Sequence, residues 1–585
     1  MKRDYNNQRT DDIYEVLEHY PKPPVIPASA FNAYNALKNS NANLFQKFLV
    51  LGYLRLSTFR VFHNRLDEKI ESILRKTDNQ SSALFGPLVS ATLSLVDDPG
   101  NIYPIQRTST LIVGAQLLYK DLLAGKLDPD KINGQILEMG QYPNCFSTSQ
   151  YINGKYVGIY KSKNTRQITL IVRGRYFVFE LDNSNPLESV QKIHSTIEKI
   201  LALIENENNE ILSPGTLTCA TNNTQIKIFG ELRKIQKNDN HLEIMKNNFL
   251  VICLDLDSKP ENDFESVRNA HIENPKNRWY HTSLQLIVYG NSKASIICNF
   301  SNYIGGNVMA RVGAEIHKRA AKLSLDYTLT NNISPLEFKE LKWKIKPGFI
   351  QKANEEIKQI YDNQNSSFII KIGRNVFNRS NIKAVPTFVL ALQMTADKFI
   401  QKNTKITQFV AISKYRCMDL TTSMVTTREN LKFIEKLKSN EFTHEEIIEL
   451  FNQAINSQIE ELRKSRKTMP LLGILQLQVN STSGWKRFYL QVLYFKLVTL
   501  LGVSGYFKKR NREIIISHPT IFEEVSVFGR PGIKIPYVKY FGLHYQIFEK
   551  KIVITMMPGT NWKTKNEEFI KELENNLNRI LKIFN

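Results

Sequence analysis

The sequence predicts an α/β protein, and three observations carry the prediction. Two strand-like runs, 168–172 and 176–181, lead into a helical pattern over 190–204 and make a β-β-α unit. A second pair of apolar runs flanks the turn signal Gly290-Asn291-Ser292 and reads as a hairpin, after which Val308, Val312, Ile316 and Ala320 recur at helical spacing. The chain has 585 residues, 42% of them hydrophobic, which is enough for two ordinary domains with sizeable cores.

Taken in order, residues 1–20 are polar, and Tyr20-Pro21-Lys22-Pro23-Pro24-Val25-Ile26-Pro27 is a stiff extended strap, because each proline fixes φ and disfavours helix before it. Residues 30–125 show mostly helical patterns, with a turn at Asp97-Asp98-Pro99-Gly100. Residues 345–368 read as a helix and an Asn/Ser-rich linker. The most apolar long run, 488–503, is broken by Lys496 and falls short of the roughly 20 residues that a membrane span needs, so it reads as a buried helix and no transmembrane segment is expected. A strand at 552–556 and an amphipathic helix at 565–583 follow.

The formal net charge is +22, with Lys and Arg scattered among Asn and Asp. No basic stripe or nucleic-acid module is evident, so no nucleic-acid partner is expected; an anionic ligand or peripheral contact with an anionic membrane surface suits the charge better. Cys145, Cys219, Cys253, Cys298 and Cys417 are odd in number and widely spaced, which argues for buried thiols in a reducing compartment. Neither they nor the ten histidines show metal spacing, so no metal site is expected. The first fifteen residues carry acidic groups and no apolar segment, unlike a signal or transit peptide. The expectation is an intracellular protein, mitochondrial or cytoplasmic.

Asn277-Arg278-Trp279, Leu284-Gln285 and the hairpin, with its short loop ending at Gly305-Gly306, resemble the stretch that leads into the active site of choline/carnitine O-acyltransferases. Met139-Gly140-Gln141-Tyr142, Phe146-Ser147-Thr148-Ser149, Gly215-Thr216-Leu217-Thr218, Leu341-Lys342-Trp343, Val527-Phe528-Gly529 and Gly542-Leu543-His544-Tyr545 recur in that family's order. The resemblance implies a two-domain carnitine acyltransferase-like fold, two mixed sheets covered by helices with a tunnel between the domains. It implies an N-terminal helical segment over 1–90 packing on the C-terminal half, an α/β domain over 91–344 with the ancestral catalytic loop, and an α/β domain over 345–585 with the ancestral CoA and acceptor side.

In that family the residue two positions after the second hairpin strand is the catalytic histidine, and here the matching position is Phe300. Phenylalanine carries no titratable group, whereas a general base contributes about 10²–10⁴-fold. His281, His518 and His544 are the candidate substitutes. The family's CoA-phosphate lysines fall on Arg374 and Asn378, with Arg379 beside them, and a guanidinium still suits a phosphate. On the acceptor side only Ser413 and Thr422 keep hydroxyls, the carnitine-binding arginine has become Thr426, and the oxyanion serine falls on Pro519. The resemblance therefore implies a divergent homologue that has lost catalysis and serves as a binding or complex-assembly subunit. Such a subunit requires no cofactor and keeps room for CoA or acyl-CoA and for protein partners. The alternative is an active acyl-CoA-dependent O-acyltransferase of carnitine or choline type with a displaced base.

Overall fold

The computed structural model describes residues 86–584 except 101–102, 133, 138, 154–155, 206–210, 301–303, 326–332, 412–419 and 468–512. The proline strap, nearly all of the 1–90 segment, the apolar run at 488–503, Ser413 and Cys417 lie outside the described residues. Two mixed sheets dominate, one of eight strands and one of six.

The first sheet runs β11 (Phe338–Glu340), β7 (Arg175–Glu180), β6 (Gln167–Val172), β8 (Leu250–Asp255), β9 (Leu284–Tyr289), β10 (Ala294–Asn299), β1 (Ser90–Leu95) and β16 (Val525–Gly529). β6, β8 and β9 are parallel, and β8 is an unbroken apolar run up to its last residue, Asp255, because both its faces are covered. On one face α1 (Pro104–Leu123), α2 (Pro186–Ile204) and α6 (Gly306–Leu325) bury Leu93, Leu170, Ile252, Leu286 and Ile296. On the other, α3 (Asn222–Arg233), α4 (Gln236–Lys246) and α7 (Pro347–Ile360) cover Ile171, Val251, Cys253, Ile287 and Ile297. Two small ribbons, β2 (Lys131–Ile132) with β3 (Gln135–Ile136) and β4 (Thr148–Asn153) with β5 (Tyr156–Lys161), and the short α5 (Asp263–Arg268) complete this half.

The second sheet runs β12 (Ser367–Ile370), β18 (Ile552–Pro558), β17 (Phe541–Ile547), β15 (Ile514–Ser517), β13 (Ile406–Ala411) and β14 (Leu420–Met424). One face packs Ile514, Ile516, Leu543, Tyr545 and Ile554 against α9 (Ala384–Phe399) and α12 (Asn566–Leu581), with α8 (Arg374–Arg379), α10 (Arg428–Ser439) and α11 (His444–Lys467) around them. The opposite face meets the first half through Ile272, Ile515, Ile533, Ile535, Val538 and Met557.

Two elements depart from the sequence expectation. Within 30–125, where mostly helix was expected, residues 90–95 form β1, with Ala91, Leu93 and Leu95 alternating onto the face covered by α1 and α6 at period two. Leu341-Lys342-Trp343, whose resemblance is to the family's strand leading out of the first domain, follows β11 and is not itself a strand. The hairpin, the β-β-α unit and the closing helix lie where the periodicity puts them.

β16 comes from the C-terminal half of the chain yet pairs with β1 in the first sheet. Thr555 Oγ1 on β18 donates to the Phe528 carbonyl on β16 across 3.3 Å, so the strand touches both sheets. Gly529 permits the approach, since a Cβ there would come within 2.5 Å of the Thr555 side chain.

Candidate functional site

The hairpin is held from below by an ion pair. Arg278 and Asp255 are each 1% exposed and meet at 2.8 Å. The five guanidinium N–H groups are all used: Nε donates to Ala270 O, Nη1 to Asp255 and Asn277 O, and Nη2 to Asp255 and Asn269 O. Burial lowers the Arg278 pKa while Asp255 raises it, and the balance lies above the ordinary value, so the pair stays charged. The Asn-Arg-Trp stretch is thus an anchor that fixes where β9 and β10 deliver their loop.

Phe300 follows β10 directly, on the side of the first sheet that carries the α1 and α6 core. It is half-buried, with that apolar core on one side and a guanidinium on the other: the Arg530 carbon Cζ stands 5.0 Å from the ring centroid. The ring is therefore not enclosed by apolar neighbours alone. Arg530 Nη1 donates to Leu88 O at 3.2 Å and to Tyr537 Oη at 2.8 Å, and its buried Nε has no partner. Among the described residues no carboxylate lies within ion-pair distance of Arg530.

The three candidate histidines separate cleanly. His281 packs between Phe229 and Trp279 on the opposite face of the first sheet from Phe300. Gln225 spends its amide N–H groups on Thr218 O and Ala220 O, so its Oε1 accepts and His281 Nε2 carries the hydrogen of the 2.7 Å bond between them. Burial pushes the His281 pKa down to about 3. His518 follows β15 on the helix-covered face of the second sheet, its ring 5.0 Å from Tyr545, with its pKa pushed down to about 4 by burial and then by Arg374. Neither faces the Phe300 corner.

His544 does come near it. The register sets Ser367, Thr555, His544 and Ser517 in one row across the second sheet, on the face that meets the first half. Phe409 and Thr422 pair in the adjoining strands, one residue beyond the Gln408↔Ile516 pair, and extend that row. The His544 ring meets Phe528 edge-on at 5.4 Å, two residues before Arg530, and it is 9% exposed with Nδ1 unpartnered. Burial first, and the charge of Arg530 second, push its pKa down to about 3. His271, on a turn of π-helix (Asn269–Glu273), is depressed to about 3 by burial and Arg530, and its Nδ1 lies 2.6 Å from Thr92 Oγ1.

Arg374, Asn378 and Arg379 all stand exposed on the short α8, with Arg374 Nη2 3.4 Å from Ile547 O. Thr422 is half-buried on β14, opposite Phe409. Pro519 is buried just past β15. Among the described residues no group of three or more His, Cys, Asp or Glu could hold a metal ion, and no helix is long and apolar enough to cross a membrane. Cys145, Cys219, Cys253 and Cys298 are free and buried. Sequence reasoning missed Arg530, Tyr537 and His271. Arg530 had a signal, since it directly follows the Phe528-Gly529 pair already singled out.

The chain belongs to the choline/carnitine O-acyltransferase family, whose model matches residues 81–575. It is 21% identical over 382 residues to choline O-acetyltransferase of Mus musculus, covering 60% of this chain and 59% of that protein. It is 24% identical over 324 residues to the Homo sapiens choline O-acetyltransferase (52% and 42% covered) and 20% identical over 286 residues to the mitochondrial carnitine O-acetyltransferase of Saccharomyces cerevisiae (47% and 42%). The chain spans about half the length of the curated relatives it matches.

Proposed function

We propose that this chain is a catalytically degenerate member of its family, retained as a binding or complex-assembly component. One observation carries the reading: the position matched to the family's base is Phe300, and the Arg530 guanidinium lies over its ring. A cation beside that corner disfavours the imidazolium that base catalysis forms. His281 and His518 face away, and a histidine held near pKa 3, as His544 is, accepts a proton poorly at neutral pH. Pro519 supplies no N–H or hydroxyl donor at the matched oxyanion position, where losing one donor typically costs about 10²–10³-fold. CoA or acyl-CoA held by Arg374 and Arg379 belongs to the same reading, as do protein partners and a mitochondrial or cytoplasmic setting.

The test is acyl-CoA consumption by the full chain, with and without carnitine or choline. No turnover is expected from the wild type or from Phe300→His, because residues that act as a unit do not restore function singly. Turnover in Phe300→His alone would mean that the rest of the site is intact. A second reading, an active transferase with a displaced base, has His544 in its favour, since that ring alone of the three candidates packs on Phe528 and lies within the field of Arg530, which covers Phe300. It requires wild-type turnover that His544→Phe abolishes.

A further inference from the structure

We propose that the Arg530 corner is a binding subsite for the carboxylate of an amphiphilic acid, seated between Phe300, Tyr537 and His544. The subsite deepens the reading of this chain as a binding component and rests on it.

Burying a guanidinium without a counter-ion is costly, and half-buried Arg530 is only partly compensated. It makes two hydrogen bonds through Nη1, to Leu88 O and Tyr537 Oη, both neutral acceptors. Its Nε is buried and unpartnered, and no carboxylate among the described residues pairs with it. The Phe300 ring covers the guanidinium from one side, with Cζ 5.0 Å from the ring centroid. Arg278 shows how the same chain treats a buried guanidinium that has a structural job: five donors meet five acceptors, two of them the oxygens of one carboxylate. Arg530 lacks that closure, and the vacant N–H groups are those that a planar carboxylate takes two at a time.

A second polar group shares the corner. His544 is nine-tenths buried, and its Nδ1 has no partner. Held neutral, an imidazole donates from one ring nitrogen, and Nδ1 is available for that bond. One fixed cation with neutral donors matches a monoanion better than a phosphate dianion, which calls for more positive charge.

The apolar portion of the ligand follows from what Arg530 already touches. Leu88 and Tyr537 both border the cluster Ile515, Ile533, Ile535, Val538 and Met557 between the two sheets, and Phe409 lies on the same border. A short hydrocarbon chain attached to the carboxylate is therefore offered an apolar surface next to the charge.

Calorimetric titration of the full chain with sodium hexanoate, methyl hexanoate and inorganic phosphate tests the subsite. Hexanoate should bind at least tenfold more tightly than the ester, phosphate should not compete, and Arg530→Gln should remove the preference for the acid over the ester. Equal binding of acid and ester by the wild type overturns the proposal without any variant, and so does a preference that survives Arg530→Gln. Competition by phosphate reassigns the corner to phosphoryl groups and likewise overturns it. Should Arg530→Gln not fold, Arg530→Lys keeps the charge but loses the fork, and hexanoate binding is expected to weaken several-fold. Acyl-CoA turnover is read separately: turnover with the acid preference intact overturns the degenerate reading alone, and no turnover without preference overturns the subsite alone.

Discussion

At the scale of single residues, two arginines with opposite surroundings organise the first half and its corner. Arg278 is closed on every donor, and breaking a buried pair of this kind by removing one partner typically costs about 3–5 kcal/mol. Arg278→Ala should therefore lower stability by that amount in chemical denaturation, and Asp255→Ala by a similar amount, whereas the double variant should cost less than the sum. The Asn-Arg-Trp stretch was legible in the sequence as a resemblance, but its role as an anchor was not, because Asp255 lies 23 positions earlier and the pairing is made by the fold. The same limit hid Arg530. A scattered basic residue acquires meaning only when chain positions 300 and 530 come together, and no local pattern records that meeting.

At the scale of elements, local periodicity carried the reading well wherever an element has its own signal. The hairpin β9–β10 and helix α6 follow from apolar runs, a turn and helical spacing. β1 shows an equally plain alternation over six residues, lost in a window judged as helical, and β16 shows a strand signal that says nothing of which sheet it joins. Partner choice is tertiary, and here it depends on a glycine. Gly529→Val should cost about 1–3 kcal/mol in denaturation, because its side chain would run into Thr555 where β16 crosses β18. Helix α8 presents a simpler expectation. Its two exposed guanidiniums suit a phosphate, so millimolar CoA should raise the thermal midpoint of the wild type and should raise it less in Arg374→Gln/Arg379→Gln. An unchanged midpoint in the wild type removes CoA from the account.

Across the whole molecule, burial sets the acid limit. His271, His281 and His544 are held near pKa 3 and His317 and His518 near 4, in each case chiefly by burial, against an ordinary value of 6.5. The unfolded chain binds these protons at higher pH than the folded chain does. Their contribution is thus complete above about pH 6.5 and is lost as pH falls toward 4 and 3, at up to about 1.4 kcal/mol per pH unit for each group. The thermal midpoint should fall steeply between pH 6 and 4, and His281→Gln should flatten that slope; an acid profile with no decline in that window contradicts the burial of these rings. The strand exchange made by β16 has a consequence of another kind, during synthesis. β15, β16, β17 and β18 all follow residue 512, so neither sheet can be completed while the ribosome is still translating 468–512. At about 5–20 residues per second the first 467 residues wait on the order of ten seconds with the outer edge of β1 unpaired. A nascent chain with such an edge is open to strand pairing with other chains, and its yield should depend on how quickly translation passes through the residues after 468.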